Sequence, residues 1–476
     1  MLLNKASSVF DHIEKIAATA SKKEKEAMVK ELLGVPLGMK IALAAYDRFK
    51  RYGCDDVPTK TPGLAPGANT LDEPFAWALL SGMADGTITG DRMREAVQLH
   101  VNLLDDKSSA LFRRILKKDL RAGFTDGTVN RVRPGTLAEF PYMRCTLPAK
   151  SNMSLWDWLV GIFVQEKADG MFVNVNRDGE ALSVTSRQGT PLPEGFAPAL
   201  EALMKQFLDT NTQTHGELVI VQRQPVTLTS GVTLHKDVVL PREIGNGMLN
   251  HLADGGDLDE GYRVEFWAWD QIPRSAVVPK GKLDTGYRAR FITLAKQLTR
   301  MAKDSPLKMI PTKVVKSKAE AFDYYREVLK QGKEGIVCKH PNGGWADTSS
   351  GNKDVVKLKL EVDVDLKVVS IVPGKKDTKN EGRPGSLGCE SADGLLKVDV
   401  TVKNEKLRDQ IEANPDDFLK RIIAVRANAI MSPSESNEFH SLFLPRMVEA
   451  AYRTDKTEAD SLERVRDQFV AAVEAA

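Results

Sequence analysis

The chain has 476 residues, 42% of them apolar and 28% charged, with a formal net charge of +2. Such a composition describes a globular protein of roughly two to four domains that needs neither disulfides nor a structural metal to hold its cores. It excludes a membrane-spanning helix, because no apolar run reaches about eighteen residues.

The opening MLLNKASSVFDHIEKIA lacks the basic-then-apolar order of a signal peptide. The cysteines, Cys54, Cys145, Cys338 and Cys389, are far apart and form no CxxC pair. Their scatter predicts a reducing, cytoplasmic setting and no zinc module.

The first 130 or so residues read as helical. Ser21 and Glu24 spell a capping box ahead of Met28, Val29, Leu32 and Leu33, and Gly34 and Pro36 stop that helix. TKTPGLAPGANT (59–70) is a loop. A further helix sets Phe112, Ile115, Leu116 and Leu120 on one face and should end at Gly123. Eight basic residues, Lys107, Arg113, Arg114, Lys117, Lys118, Arg121, Arg131 and Arg133, crowd this stretch against Asp119 and Asp126. A phosphate backbone would suit that stripe, and so would an ordinary solvated face.

From about residue 135 strands dominate. IFVQEKADGMFVNVNRDGEALSV reads as strand, loop, strand and a hairpin turn at Asp178–Gly179. More strands follow at GELVIV (216–221) and RVEFWAWD (263–270). A second capping box, Ser317 to Glu320, opens a helix ending near Gly332, and EGIVCKH comes next. From about 362, VDVDLKVVSIVPG, a basic Gly-rich loop (374–388) and LLKVDVTV suit a small barrel of the OB type.

The sharpest feature is Lys167-Ala168-Asp169-Gly170, on the loop after a strand. A lysine becomes a nucleophile when burial or nearby positive charge strips its proton. The glycine lets the backbone turn tightly under a phosphate. Alone the string is weak, with about a one-in-ten chance of occurring in a chain this long. Its partners downstream raise its value. They are Ser186-Arg187-Gln188-Gly189, His215-Gly216-Glu217, Phe266-Trp267-Ala268-Trp269-Asp270, Glu334-Gly335-Ile336-Val337-Cys338-Lys339, Lys357-Leu358-Lys359 and Arg453-Thr454-Asp455-Lys456. Carboxylates such as Glu217 and Glu334 can hold a hard cation or ribose hydroxyls. An aromatic such as Phe266 can stack on a purine, and paired lysines can neutralise an α-phosphate.

In this order the set resembles the nucleotidyltransferase motifs of ATP-dependent DNA ligases. The resemblance extends to KKDLRAGFTDGTVNRVRPG (117–135), DVDLKVVSIVPGKKD (363–377) and LFLPRMVEAAYRTDK (442–456). It implies a multidomain chain. Residues 1–134 would be an all-α DNA-binding domain. Residues 135–361 would be an α+β nucleotidyltransferase core with antiparallel sheets, and 362–476 an OB-fold β-barrel.

It also implies roles. Lys167 would take AMP from ATP, with Gln165 at the adenine edge and Phe266 stacked on the base. Asp169, Glu217 and Glu334 would serve metal, ribose and phosphate, with Mg²⁺ held by Glu217 and Glu334. Lys357 and Lys359 would hold the α-phosphate. Arg187 would meet the AMP or the 5′-phosphate of a nick, and Arg453 and Lys456 would orient the β,γ-phosphates. The partner would be nicked double-stranded DNA, met by a monomer in the cytoplasm (the host's, if the chain is viral), in replication, repair and recombination.

Two departures stand out. Phe172 replaces the arginine of K-x-D-G-x-R, and His215 replaces the aspartate of D-G-E. An RNA ligase, a capping enzyme and a catalytically dead binding protein share parts of this pattern. The basic helical N-terminus argues against the first two, and the intact Lys167, Glu217, Glu334, Lys357 and Lys359 against the third.

Overall fold

A computed structural model describes residues 3–227, 233–302, 304–348, 350–376, 378, 380–433, 437–448 and 452–475. The expected motif segments 363–377 and 442–456 therefore include a few positions (377 and 449–451) outside the described residues. Contacts divide the chain into two units, Met1–Glu139 and Phe140–Ala476. None of the described helices is long and apolar enough to cross a membrane.

The first unit carries helices α1 (Ala6–Ala18), α2 (Lys22–Leu33), α3 (Pro36–Tyr46), α4 (Pro74–Ala84), α5 (Gly90–Leu103), α6 (Asp106–Leu116) and α7 (Asp126–Val132). Ser21 caps α2 by accepting from the Glu24 N–H, and Pro36 sits at the start of α3, where its missing N–H costs nothing. The apolar faces, including Ile13, Leu32, Ile41, Val97, Phe112 and Ile115, close one core.

The last basic helix ends earlier than its periodicity predicts. It stops at Leu116, and Lys118 then turns with φ of 58°. The side chain of Lys118 donates to the Ala44 and Asp47 carbonyls, which ties the chain down there. Its neighbours in the basic stripe are also engaged within the unit. Lys107 pairs with Asp11, Arg114 with Glu14 and Arg131 with Glu26. Arg113, Lys117 and Arg133 donate to the carbonyls of Pro58, Asp55 and Leu33. The stripe therefore stabilises this unit before it offers charge to any partner.

The second unit begins with β1 (Cys145–Thr146), β2 (Ile162–Glu166), β3 (Met171–Asp178), β4 (Ala181–Ser186), α8 (Pro198–Phe207), β5 (Thr212–Thr227) and β6 (Thr233–Val239). It continues through α9 (Arg242–Ala253), β7 (Tyr262–Pro273), β8 (Lys282–Leu283), α10 (Tyr287–Leu298), β9 (Leu307–Met309), β10 (Thr312–Val315) and α11 (Lys318–Lys330). β11 (Gly335–Lys339), β12 (Trp345–Ala346) and β13 (Asn352–Lys359) complete this half.

Two sheets organise it. One runs β1-β13-β11-β2-β10, and the other runs β4-β3-β5-β7-β9 with β6 added to β5. Each packs one face into an apolar core. The first sheet packs Ile162, Val164, Ile336, Cys338, Val356 and Leu358 against Tyr324, Tyr325, Val328 and Leu329 of α11. The second packs Val173, Val175, Leu218, Ile220, Phe266 and Ala268 into its own core. Strand periodicity of two then leaves the alternate residues on the opposite faces, and these carry the site.

The chain goes on through β14 (Val362–Pro373), β15 (Pro384–Glu390), β16 (Lys397–Thr401), α12 (Glu405–Ala413), β17 (Ile422–Ala427), β18 (Ala429–Met431), β19 (Ser441–Phe443), β20 (Arg446–Met447) and α13 (Leu462–Ala475). The sheet runs β16-β15-β14-β17-β20. Its edge strands β16 and β20 approach each other without pairing, so the strand path stays open among the described residues. α13 packs on β14 and reaches back to α11.

Candidate active site

Register brings the motif residues together. β2 lies between β10 and β11, with Gln165 opposite both Thr312 and Val337. β11 pairs in turn with β13, setting Val337 opposite Lys357 and Gly335 opposite Lys359. Directly opposed residues share a face. Gln165, Thr312, Val337, Lys339, Lys357 and Lys359 therefore lie on the face away from α11. Lys167 continues the same parity just past the end of β2, where its N–H donates to the Gly335 carbonyl at 2.9 Å.

The side chain of Lys167 is ion-paired with Glu334, and both are mostly shielded. Glu217 enters from β5. It feels the charges of Lys167, Glu334 and Asp169 and accepts the Gly170 N–H. Burial first, and then its acidic neighbours, push its carboxyl up to about 8, against the pull of Lys167. Lys167, Asp169, Glu217 and Glu334 are thus one electrostatic cluster. Among the described residues no three His, Cys, Asp or Glu side chains form a ready metal site. A crowded pair of carboxylates still suits Mg²⁺, which takes one or two protein carboxylates and completes its shell from phosphates and water.

The glycine of the loop has a clear reason. A Cβ on Gly170 would sit 2.2 Å from the Leu218 carbonyl oxygen and 3.0 Å from Glu217 Cγ. Gly170 is required by the close approach of β5, where the sequence suggested a tight backbone turn under a phosphate. At Gly335 both causes act, since its Cβ would lie 2.2 Å from the Leu358 carbonyl oxygen and its φ of 146° is one that other residues rarely adopt.

The other expected residues divide. Lys357 lies on the site face and acts with Lys167 and Lys339 on the Cys145 thiol, which burial nonetheless raises. Lys359 is drawn toward the C-terminal part, 3.2 Å from Glu361 and 3.4 Å from Oδ1 of the Asn428 side chain. Arg187 is exposed and lies over the Tyr142 ring at 5.4 Å. Arg453 and Lys456 are not gathered at Lys167. Both pair with Asp365 of β14.

Phe266 is the clear correction. It is fully buried on the core face, opposite Leu218, and a Cβ on Gly216 would strike its ring at 2.3 Å. A residue walled in this way cannot stack on a bound base. Trp267, opposite Glu217, and Trp269 are the part-buried aromatics off the core face, and Trp269 is the one beside Phe172 and Lys339. It lies 5.6 Å from Phe172, and the Lys339 ammonium lies over its ring at 5.7 Å. Alternation along FWAWD would have separated Phe266 and Ala268 from the two tryptophans.

The two motif departures are neighbours. Phe172 and His215 lie on adjacent strands with rings 6.3 Å apart, in a group that includes Tyr142 and Trp269. Burial holds His215 near a pKa of about 4, so its imidazole is neutral at pH 7. Three further residues had no role in the sequence reading. Tyr287, Lys339 and Thr312 build a polar patch around Gln165, and burial lowers the Lys339 ammonium to about 8. Beneath them Asp270 and Arg290 form a buried two-pronged ion pair at 2.8 and 3.0 Å.

Comparison with known proteins agrees with this geometry. Residues 159–359 match the family model of the ATP dependent DNA ligase domain. The DNA ligase of Enterobacteria phage T6 is 27% identical over 96% of this chain and 98% of its own length. The DNA ligase of Enterobacteria phage T4 is 26% identical over the same shares. A solved structure named Pmar-Lig_PreS3 shares the fold, with a TM-score of 0.68 at 18% identity over 94% of this chain and 99% of that one. Residues 159–359 thus match an ATP dependent DNA ligase domain across both site-bearing sheets, and the chain as a whole is similar to phage DNA ligases over nearly their whole length.

Proposed function

We propose that this enzyme seals 3′-hydroxyl/5′-phosphate nicks in duplex DNA by way of an AMP carried on Lys167. The observation that carries the reading is the position of Lys167, at the end of β2, paired with Glu334 and beside Glu217 and Asp169. Lys167 attacks the α-phosphate of ATP and expels pyrophosphate. The AMP then passes to the 5′-phosphate of the nick, and the 3′-hydroxyl displaces it. The chain's own part is positioning and charge. Lys167 must lose a proton to attack, and the Glu334 carboxylate beside it is the nearest acceptor.

Lys357 and Lys359 face the α-phosphate, and Lys359 must leave Glu361 to do so. Gln165 meets the adenine edge, and Trp269 takes the stacking role in place of Phe266. Arg187 contacts AMP or the nick's 5′-phosphate. Glu217 and Glu334, with Asp169 beside them, would hold Mg²⁺, which would neutralise phosphate charge. Residues 1–134 would grip the duplex as a helical DNA-binding domain, 135–361 would catalyse, and 362–476 would serve as an OB-fold domain. Grip through phosphates gives little base preference. The protein would act as a cytoplasmic monomer in replication, repair and recombination.

The test is direct. The protein is incubated with α-labelled ATP and Mg²⁺, freed of ATP, and chased with nicked DNA or nicked RNA duplex. Label should leave the protein and strands should join on DNA. Transfer to the RNA nick alone would make it an RNA ligase, and no label on the protein would end the proposal.

A further inference from the structure

Gln165 is almost fully buried on the site face, one strand step from Lys167. Two residues along a strand span about 7 Å, close to the reach from an α-phosphate across a ribose to its base. A nucleotide attacked by Lys167 therefore brings its base to Gln165. An amide can present either a donor or an acceptor to that base, and the groups behind Gln165 decide which.

The hydrogen-bond accounting is closed. The Tyr287 hydroxyl donates to the Trp269 carbonyl at 2.6 Å, so toward Gln165 it can only accept. Gln165 Nε2 donates to it at 2.8 Å. The Lys339 ammonium, 3.4 Å away, also donates to the same oxygen. The Thr312 hydroxyl donates to the Ile310 carbonyl at 2.8 Å, so it too can only accept, and Gln165 Nε2 supplies it at 3.1 Å. Both amide hydrogens are thereby committed to protein oxygens. Turning the amide over would set Oε1 against two acceptors and strand both hydrogens. Oε1 takes no hydrogen bond from any described residue and is not among the sealed, unpartnered atoms. It faces the nucleotide side as a fixed acceptor.

We propose that the Trp269 carbonyl, Tyr287 hydroxyl and Thr312 hydroxyl form a relay that locks Gln165 as an acceptor and so selects 6-amino purines over 6-oxo purines. The proposal rests on the reading of Lys167 as the nucleotidylated residue. ATP offers Oε1 a hydrogen from its 6-amino group. ITP, of nearly the same shape, offers an oxygen there, and two acceptors repel. Tyr287 and Thr312 are positioning residues, since neither needs to touch the base. In Tyr287→Phe or Thr312→Val the amide loses one committed acceptor and can present its NH₂ to an oxo group.

The experiment compares kcat/KM for lysyl-nucleotide formation with ATP and with ITP in the full chain. Wild type should favour ATP by about a hundredfold or more. Tyr287→Phe and Thr312→Val should each shrink that ratio by about tenfold, with part of the change a gain on ITP. A loss of packing alone would lower both rates and leave the ratio in place. Glu at position 165 has two acceptor oxygens and no donor to misplace. Gln165→Glu added to Tyr287→Phe should therefore restore the preference for ATP. An unchanged ratio in both single variants overturns the relay. No lysyl-nucleotide from either triphosphate in wild type overturns instead the reading of Lys167.

Discussion

At the scale of single residues, the roles of Phe266 and Trp269 separate cleanly. Phe266 is fully buried in the core of the second sheet. Phe266→Ala should cost about 3–5 kcal/mol of stability, as an aromatic-sized cavity does. At a temperature where that variant stays folded, its KM for ATP should stay near wild type. Trp269 is part-buried on the site face, so Trp269→Ala should leave the melting temperature less affected and raise KM for ATP about tenfold, the worth of one base stack. Thermal melts beside lysyl-AMP kinetics measure both. The reverse pattern would return the stacking role to Phe266. Physical alternation would have assigned the pair from FWAWD alone, but three aromatics in five residues give the wrong one equal appeal. Tyr287, Lys339 and Thr312 offered no such cue. They lie on three different elements, and only the register of β2 with β10 and β11, together with the placement of α10, brings them to Gln165.

At the scale of elements, the local signals carried well where chemistry is local. The Ser317 cap, the turn at Gly179 and the stop near Gly332 form as their residues predict. The end of α6 does not, because long-range bonds from Lys118 to α3 and the residue after it outweigh helical periodicity. Gly170 illustrates a partial reading. A glycine was expected in the loop, but its cause lies in β5, a strand about fifty residues on, so no local rule could name it. Gly170→Ala should keep the fold and push the Lys167 loop off β5. A displacement of about 1 Å at a reacting group costs on the order of a hundredfold, and the rate of lysyl-AMP formation should fall by that much. A variant with the wild-type rate would mean that the loop has slack the Leu218 contact does not suggest.

At the scale of the whole molecule, the C-terminal cations matter most. Arg453 and Lys456 are held by Asp365, away from the Lys167 cluster. If they meet pyrophosphate, they must leave Asp365 first, which calls for a rearrangement of this part around the site. Arg453→Ala and Lys456→Ala should each slow lysyl-AMP formation about a hundredfold. Both should still seal a nick supplied already adenylylated, since no pyrophosphate leaves in that step. Equal loss on the pre-adenylylated nick would replace the leaving-group role with one in binding DNA or in folding. The grouping of motifs in order was legible because the reaction needs all of them. The pairing of Arg453 and Lys456 with Asp365 was not, because these partners lie 88 and 91 positions apart in the chain. Every step of the proposed reaction passes through Lys167, and one measurement reaches it directly. Wild type and Lys167→Ala are incubated with ATP and Mg²⁺ and digested, and the peptides are searched for AMP by mass spectrometry. The account predicts one AMP on the peptide holding Lys167 and none anywhere in the variant. AMP on another residue, or an adduct that persists in Lys167→Ala, would contradict it.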